Sequence, residues 1–138
     1  MEILIVDDDF VSRKKMSVIM SQYGRCDTVT SGAECMDAFI HAHTEGAPYS
    51  IIFMDVQMEG MDGIETMAKI REWEESHDII LGTGAKIIMM TVKKDPQTFF
   101  SSFRQGCEAY ITKPFNNESV VKAMDGLGQS FNLKVKTL

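Results

Sequence analysis

Polar residues capable of chemistry fall at the ends of apolar runs in this chain. The run Ile3–Val6 leads straight into Asp7, Asp8 and Asp9, and a second apolar run ends in Asp55. A third ends in Thr91, and a fourth runs through Thr112 into Lys113-Pro114. Adjacent carboxylates repel and raise one another's pKa, so grouping them needs a compensating partner. Mg²⁺ is such a partner, since it prefers carboxylate and carbonyl oxygens and keeps several of its waters. Each residue alone has a plainer role: Asp caps turns and helices, Thr is common in strands, and Lys is usually solvated. Their recurrence at the same end of four strands favours a shared site.

The elements that must position them follow from the hydropathy pattern. The runs 3–6, 50–54, 86–90 and 109–112, with a weaker one at 26–30, are continuous in the manner of parallel strands covered on both faces. Between them, Met16, Ile19, Met20 and Tyr23 recur at helical spacing, as do Met36, Phe39, Ile40 and His43. Ser31 and Asp62 each stand three residues before a Glu, the spacing of a capping box. Asp95-Pro96 reads as a cap followed by Pro at the first helical position, and Asp9 as the cap of the first helix, where a negative charge meets the positive end of the dipole. A last helix begins near Asn117, with Val120, Met124 and Leu127 on one side. The order is (βα)5, an α/β fold whose right-handed crossovers give an open, doubly wound parallel five-stranded sheet. Ligands of such sheets sit outside the carboxyl ends of the strands, where the polar residues collect.

Bulk properties narrow the function. A chain of 138 residues with 44% hydrophobic and 25% charged content is that of an ordinary globular domain. A net charge of −6 disfavours nucleic acid and suits a basic partner or a bound cation. Cys26, Cys35 and Cys107 have neither disulfide-framework nor zinc-ligand spacing. His41 and His43, two apart on a helix, do not face each other, so no zinc pair is expected. The eleven methionines read as adaptable core filler. The N-terminus lacks a signal-peptide pattern and no run reaches membrane length, so a cytoplasmic location is expected. Residues 74–86 read as a long surface loop; its "GTGAK" lacks the ending of a phosphate loop and precedes a strand.

The blocks "ILIVDD", "IIFMDVQMEGMDGIE", "IIMMT" and "AYITKPF" resemble the signature blocks of response-regulator receiver domains, in register and in order, from residue 2 to about 127. The resemblance implies a flavodoxin-like receiver fold over 1–127. The tail after it, 128–138, alternates apolar and polar residues from 131 on and reads as a further strand or a linker. It implies that Asp55 accepts a phosphoryl group from a histidine kinase or a histidine phosphotransfer protein. Asp8 would hold Mg²⁺ directly and Asp7 largely through water, with Asp55 and the backbone carbonyl of Gln57 completing the ligands. Lys113 would pair with a phosphoryl oxygen, Thr91 would hydrogen-bond to another, and Tyr110 would be the aromatic that turns when Thr91 moves. The Lys113-Pro114 bond would be cis.

The implied output is a protein target bound through the fourth helix, fifth strand and fifth helix. Either that contact is the whole output or the chain is truncated from a longer protein. Such a domain is not an enzyme beyond its own phosphorylation and dephosphorylation. The sequence departs from the family pattern at Val92, after Thr91, and at Glu59, where Pro is common. Gln57 and Lys93 flank the site at positions that tune phosphate lifetime. Phe99, Phe100 and Phe103 cannot all face the sheet, so one or two are expected to be exposed beside Tyr110. Two alternatives stand beside this reading. One is a haloacid-dehalogenase-like phosphatase using Asp7 and Asp9, with Thr91 and Lys113 as its later motifs. The other is a receiver-like binding module that is never phosphorylated.

Overall fold

The computed structural model describes residues 1–80, 82–92 and 96–127. Five strands, β1 (Glu2–Val6), β2 (Arg25–Val29), β3 (Ile51–Asp55), β4 (Lys86–Thr91) and β5 (Ala109–Thr112), alternate with five helices. These are α1 (Phe10–Met20), α2 (Gly32–Thr44), α3 (Gly63–Ser76), α4 (Pro96–Gln105) and α5 (Asn117–Asp125). All strand pairings are parallel, in the order β2-β1-β3-β4-β5. The expected (βα)5 sheet is therefore present, and its order reverses at β1/β3, the switch point where such folds bind ligands.

The continuous apolar runs divide by their period of two. Leu4, Val6, Ile52, Met54, Ile87 and Met89 face α2 and α3, where Phe39, Met67 and Ile70 meet them. Ile3, Ile5, Ile51, Phe53, Ile88 and Met90 face α1 and α5, against Met16, Met20, Val120 and Met124. Each run is apolar throughout because both of its faces are covered. Most of the methionines lie in these two layers.

Three helix starts follow the caps read from the sequence. Asp9, Ser31 and Asp62 accept hydrogen bonds from the backbone N–H of Ser12, Glu34 and Glu65. Asn116 caps α5 in a reciprocal pair with Ser119. The cap expected at Asp95, the role given to Lys93 and the 128–138 tail lie outside the described residues.

Two expectations need correction. The buried stripe of α2 is Cys35, Phe39 and Ala42, with Ile40 exposed and Met36 and His43 at the margin. The small apolar residues Cys35 and Ala42 had been outweighed by larger neighbours in the hydropathy pattern. The segment 74–86 is not all loop, because α3 runs to Ser76 and β4 starts at Lys86. Glu74 lies in the helix and is buried, bonded to Arg71 and to the backbone N–H of Ala85. A Cβ on Gly84 would lie 2.0 Å from Glu74 Oε2, which gives "GTGAK" a packing role.

Candidate functional site

Strands of matched register bring Asp7, Asp55, Thr91 and Lys113 to one rim. Met54 is aligned with Val6, and Asp55 with Met90, so Asp7 and Asp55 emerge from neighbouring strands at the same level. The backbone N–H of Asp7 still donates to Val29 O, which continues the sheet past the end of β1. Lys113 N–H donates to Thr91 O, setting the lysine beside the end of β4. The Lys113-Pro114 bond is cis, as the resemblance implied.

Charge is concentrated here with little solvent. Asp7 is fully buried, Asp55 is 4% exposed and Thr91 is fully buried. Lys113 Nζ lies 2.8 Å from Asp7 Oδ2 and 3.5 Å from Asp55 Oδ2. Asp7 Oδ1 accepts from the backbone N–H of Asp9. Asp7 Oδ2 has the lysine as its ion-pair partner but no donor aligned for a hydrogen bond. Burial and the charge of Asp7 push the pKa of Asp55 upward, against the pull of Lys113. Lys113 stays protonated, because its acidic neighbours outweigh its own burial.

One ammonium between two buried carboxylates leaves excess negative charge, and exposed Asp8 adds to it. Carboxylate oxygens of Asp7, Asp8 and Asp55 all lie within 4.8 Å of one another, the one such cluster of potential metal ligands among the described residues. An all-oxygen set around an under-partnered buried oxygen suits Mg²⁺. Gln57 is exposed two residues past Asp55, and its N–H donates to Asp55 Oδ1. Asp8, Gln57, Glu59 and Asp62 line an adjoining cavity of about 550 Å³ together with Thr98.

Asp9 separates from this group. Its carboxylate caps α1, where it meets the positive end of the helix dipole. That removes the second acid the phosphatase alternative needs, while Asp55, which that alternative leaves idle, sits against Asp7. Cys35 and Cys107 are buried and burial pushes both thiols up to about 12, so neither is reactive at neutral pH.

Tyr110 lies in β5, two residues before Thr112, which pairs with Thr91. Its ring stands edge-on to Phe99 at 5.4 Å. Phe99, Phe100 and Phe103 are all exposed, one more than expected, because only Ser102 of α4 is buried. Val92 is 60% exposed beside Thr91.

A family model described as "Response regulator receiver domain" matches residues 3–125. The chain belongs to that family. The receiver domain is 27% identical to the chemotaxis protein CheY of Halobacterium salinarum, over 89% of this chain and 92% of that protein. It is 29% identical to Probable histidine kinase 2 of Oryza sativa subsp. japonica over 96% of this chain, which spans 13% of the kinase's length. Among solved structures, CheY4 of Vibrio cholerae superposes with a TM-score of 0.72 at 25% identity, covering 90% of this chain and 95% of that one. The receiver domain of the Arabidopsis thaliana histidine kinase CKI1, complexed with Mg²⁺ and BeF3⁻, gives 0.73 at 25% identity, covering 90% and 89%. Receiver domains are signalling modules of two-component systems that work with histidine kinases and phosphotransfer proteins, and phosphoryl acceptance at a Mg²⁺-binding acidic pocket is typical of them.

The end of β3 depends on a close backbone approach. A Cβ on Gly63 would lie 2.1 Å from Asp55 O and 2.9 Å from Val56 Cα. These are main-chain atoms that cannot rotate away, so α3 would have to lift from β3. Gly63→Ala is expected to cost about 3 kcal/mol, the upper end for overpacking. Thermal unfolding checks this, and an unchanged midpoint would show that α3 can shift freely.

Proposed function

We propose that residues 1–127 form a phosphoacceptor unit in which Asp55 takes a phosphoryl group from a phosphohistidine. The observation that carries the reading is the convergence of buried Asp7 and Asp55 on Lys113, with Asp8 at the mouth. An oxygen of ionised Asp55 attacks phosphorus as the bond to the donor imidazole nitrogen breaks, and the product is an acyl phosphate on Asp55. Phosphoryl transfer asks mainly for in-line positioning and for charge on the equatorial oxygens. Lys113 supplies part of that charge at a fixed place, since Asp7 holds its ammonium at the rim. Asp8, Asp55 and the Gln57 carbonyl, with Asp7 largely through water, would hold Mg²⁺, which would supply the rest of that charge.

Phosphorylation would draw the Thr91 hydroxyl and Lys113 to phosphoryl oxygens. Thr91 moves, Tyr110 reorients, and the change reaches α4, β5 and α5, a local charge event biasing a two-state element. The groove of about 380 Å³ formed by Pro96, Phe99, Phe100, Tyr110 and Thr112 would take an apolar side chain of the downstream protein. Exposed Val92 and Glu59 border the phosphoryl site and would tune the phosphate lifetime.

Incubation with acetyl phosphate and Mg²⁺ tests the reading. Intact mass should rise by one phosphate, the modification should map to Asp55, and EDTA should prevent it. No uptake by folded protein saturated with Mg²⁺ would overturn the mechanism.

A further inference from the structure

Two cations on α1 reach the backbone of the two loops that carry the buried ion pair. Arg13 Nη1 donates to Asp7 O at 2.9 Å, in the loop after β1. Lys15 Nζ donates to Phe115 O, in the loop after β5 and two residues past Lys113. The ammonium of Lys15 also lies over the Phe115 ring, 5.0 Å from its centroid. Phe115 is itself buried against α1 and α5, which brings its carbonyl within reach of the Lys15 ammonium.

From these contacts we infer that Lys15 is a positioning residue for phosphoryl transfer. It fixes the loop after β5 so that Lys113 Nζ is held between Asp7 and Asp55 and not withdrawn toward solvent. Lys15 touches neither the acids nor a reacting atom. It acts through two residues of backbone, and Arg13 steadies the opposite side of the same ion pair. Lys113 is 3.5 Å from Asp55, already at the long edge of an ion pair, so a small loop displacement removes it from the transferring group. A shift of that size affects rate more than folding, because Lys15 is largely exposed and contributes little core.

The inference rests on Asp55 being the acceptor, and the experiment separates the two. Lys15→Met keeps an apolar stem over Phe115 and loses the donor; Lys15→Arg restores a donor. Phosphate incorporation from acetyl phosphate is followed by intact mass at saturating Mg²⁺, with Mg²⁺ affinity measured by calorimetry and folding by thermal unfolding. Lys15→Met is expected to slow incorporation by about tenfold, with Mg²⁺ affinity and melting midpoint unchanged, and Lys15→Arg to recover most of the rate. Equal rates for wild type and Lys15→Met would overturn the positioning role. So would failure of Lys15→Arg to recover, or a loss explained by weaker Mg²⁺ binding. Failure of the wild type to incorporate phosphate would instead overturn the acceptor reading itself.

Discussion

Asp55→Asn is expected to take up no phosphate from acetyl phosphate and, without Mg²⁺, to melt at a higher temperature than the wild type. The first effect is loss of an ionised oxygen nucleophile, since a neutral amide leaves the side-chain shape but not the chemistry. The second follows from the charge state of the buried site. Burial and Asp7 raise the pKa of Asp55 in the folded protein above its ordinary value of 3.8. A carboxylate raised in this way costs nothing below its unfolded pKa. Its cost then grows as pH rises through the folded value and is complete above it. The amide removes that cost, leaving Lys113 to pair with Asp7 alone.

The gain should be on the order of 1–3 kcal/mol at pH 8, the range for an incompletely partnered buried polar group. It should vanish toward about pH 3, below the ordinary value of 3.8, where Asp55 is protonated in both states. Urea unfolding at the two pH values measures it. Added Mg²⁺ should stabilise the wild type more than the variant and so narrow the difference. A variant that melts below the wild type at pH 8 without metal would show that the acidic cluster is not under repulsive tension.

Arg71→Met is expected to cost about 3–5 kcal/mol, the range for removing one partner from a buried ion pair. The guanidinium donates to Gly106 O, Ala85 O, Glu74 and Glu108, and so binds α3 to the starts of β4 and β5. Methionine fills similar volume but leaves two carboxylates facing each other. Glu74 and Glu108 also accept from the backbone N–H groups of Ala85 and Ile87, so neither can turn out to water without breaking a strand contact. Burial already raises the pKa of Glu108 above its ordinary 4.5, and Arg71 opposes that rise. Without Arg71 the folded pKa climbs further, so the penalty is largest at pH 7–8 and shrinks toward pH 4.5 as Glu108 gains a proton. Denaturant unfolding at pH 5 and 7.5 should show this slope. A pH-independent loss below about 1 kcal/mol would mark the network as ordinary surface pairing.

The sequence carried the acidic rim clearly because the apolar strands that end in it are fully buried, leaving one direction for each terminal residue. Asp7, Asp55, Thr91 and Lys113 could be brought together from strand ends alone. Asp9 was separable because an acid at a helix start has a competing local use, and Ser12 N–H provides it. The Arg71 network was not read, although Arg71 and Glu74 stand at the i, i+3 spacing of a helix pair. Charges are usually solvated, and nothing local says that Glu108, 37 residues away, completes the set. The same habit turned Glu74 into a loop residue. The face of α2 was misjudged because small Cys35 and Ala42 carry little hydropathy, yet they allow the close approach to β1 and α3.

The two rims of the sheet each hold two acids around one cation, and they resolve the charge differently. At the amino rim, Arg71 fits its fork to both carboxylates and two carbonyls, and the conflict is settled by the chain itself. At the carboxyl rim, Lys113 answers one acid well and the other poorly, and Asp8 adds to the excess. Frustration in a folded protein is normally minimised, and here it is retained at one place. The melting temperature thereby becomes a gauge of what occupies that rim, because only a ligand from outside completes the charge balance that the fold leaves open.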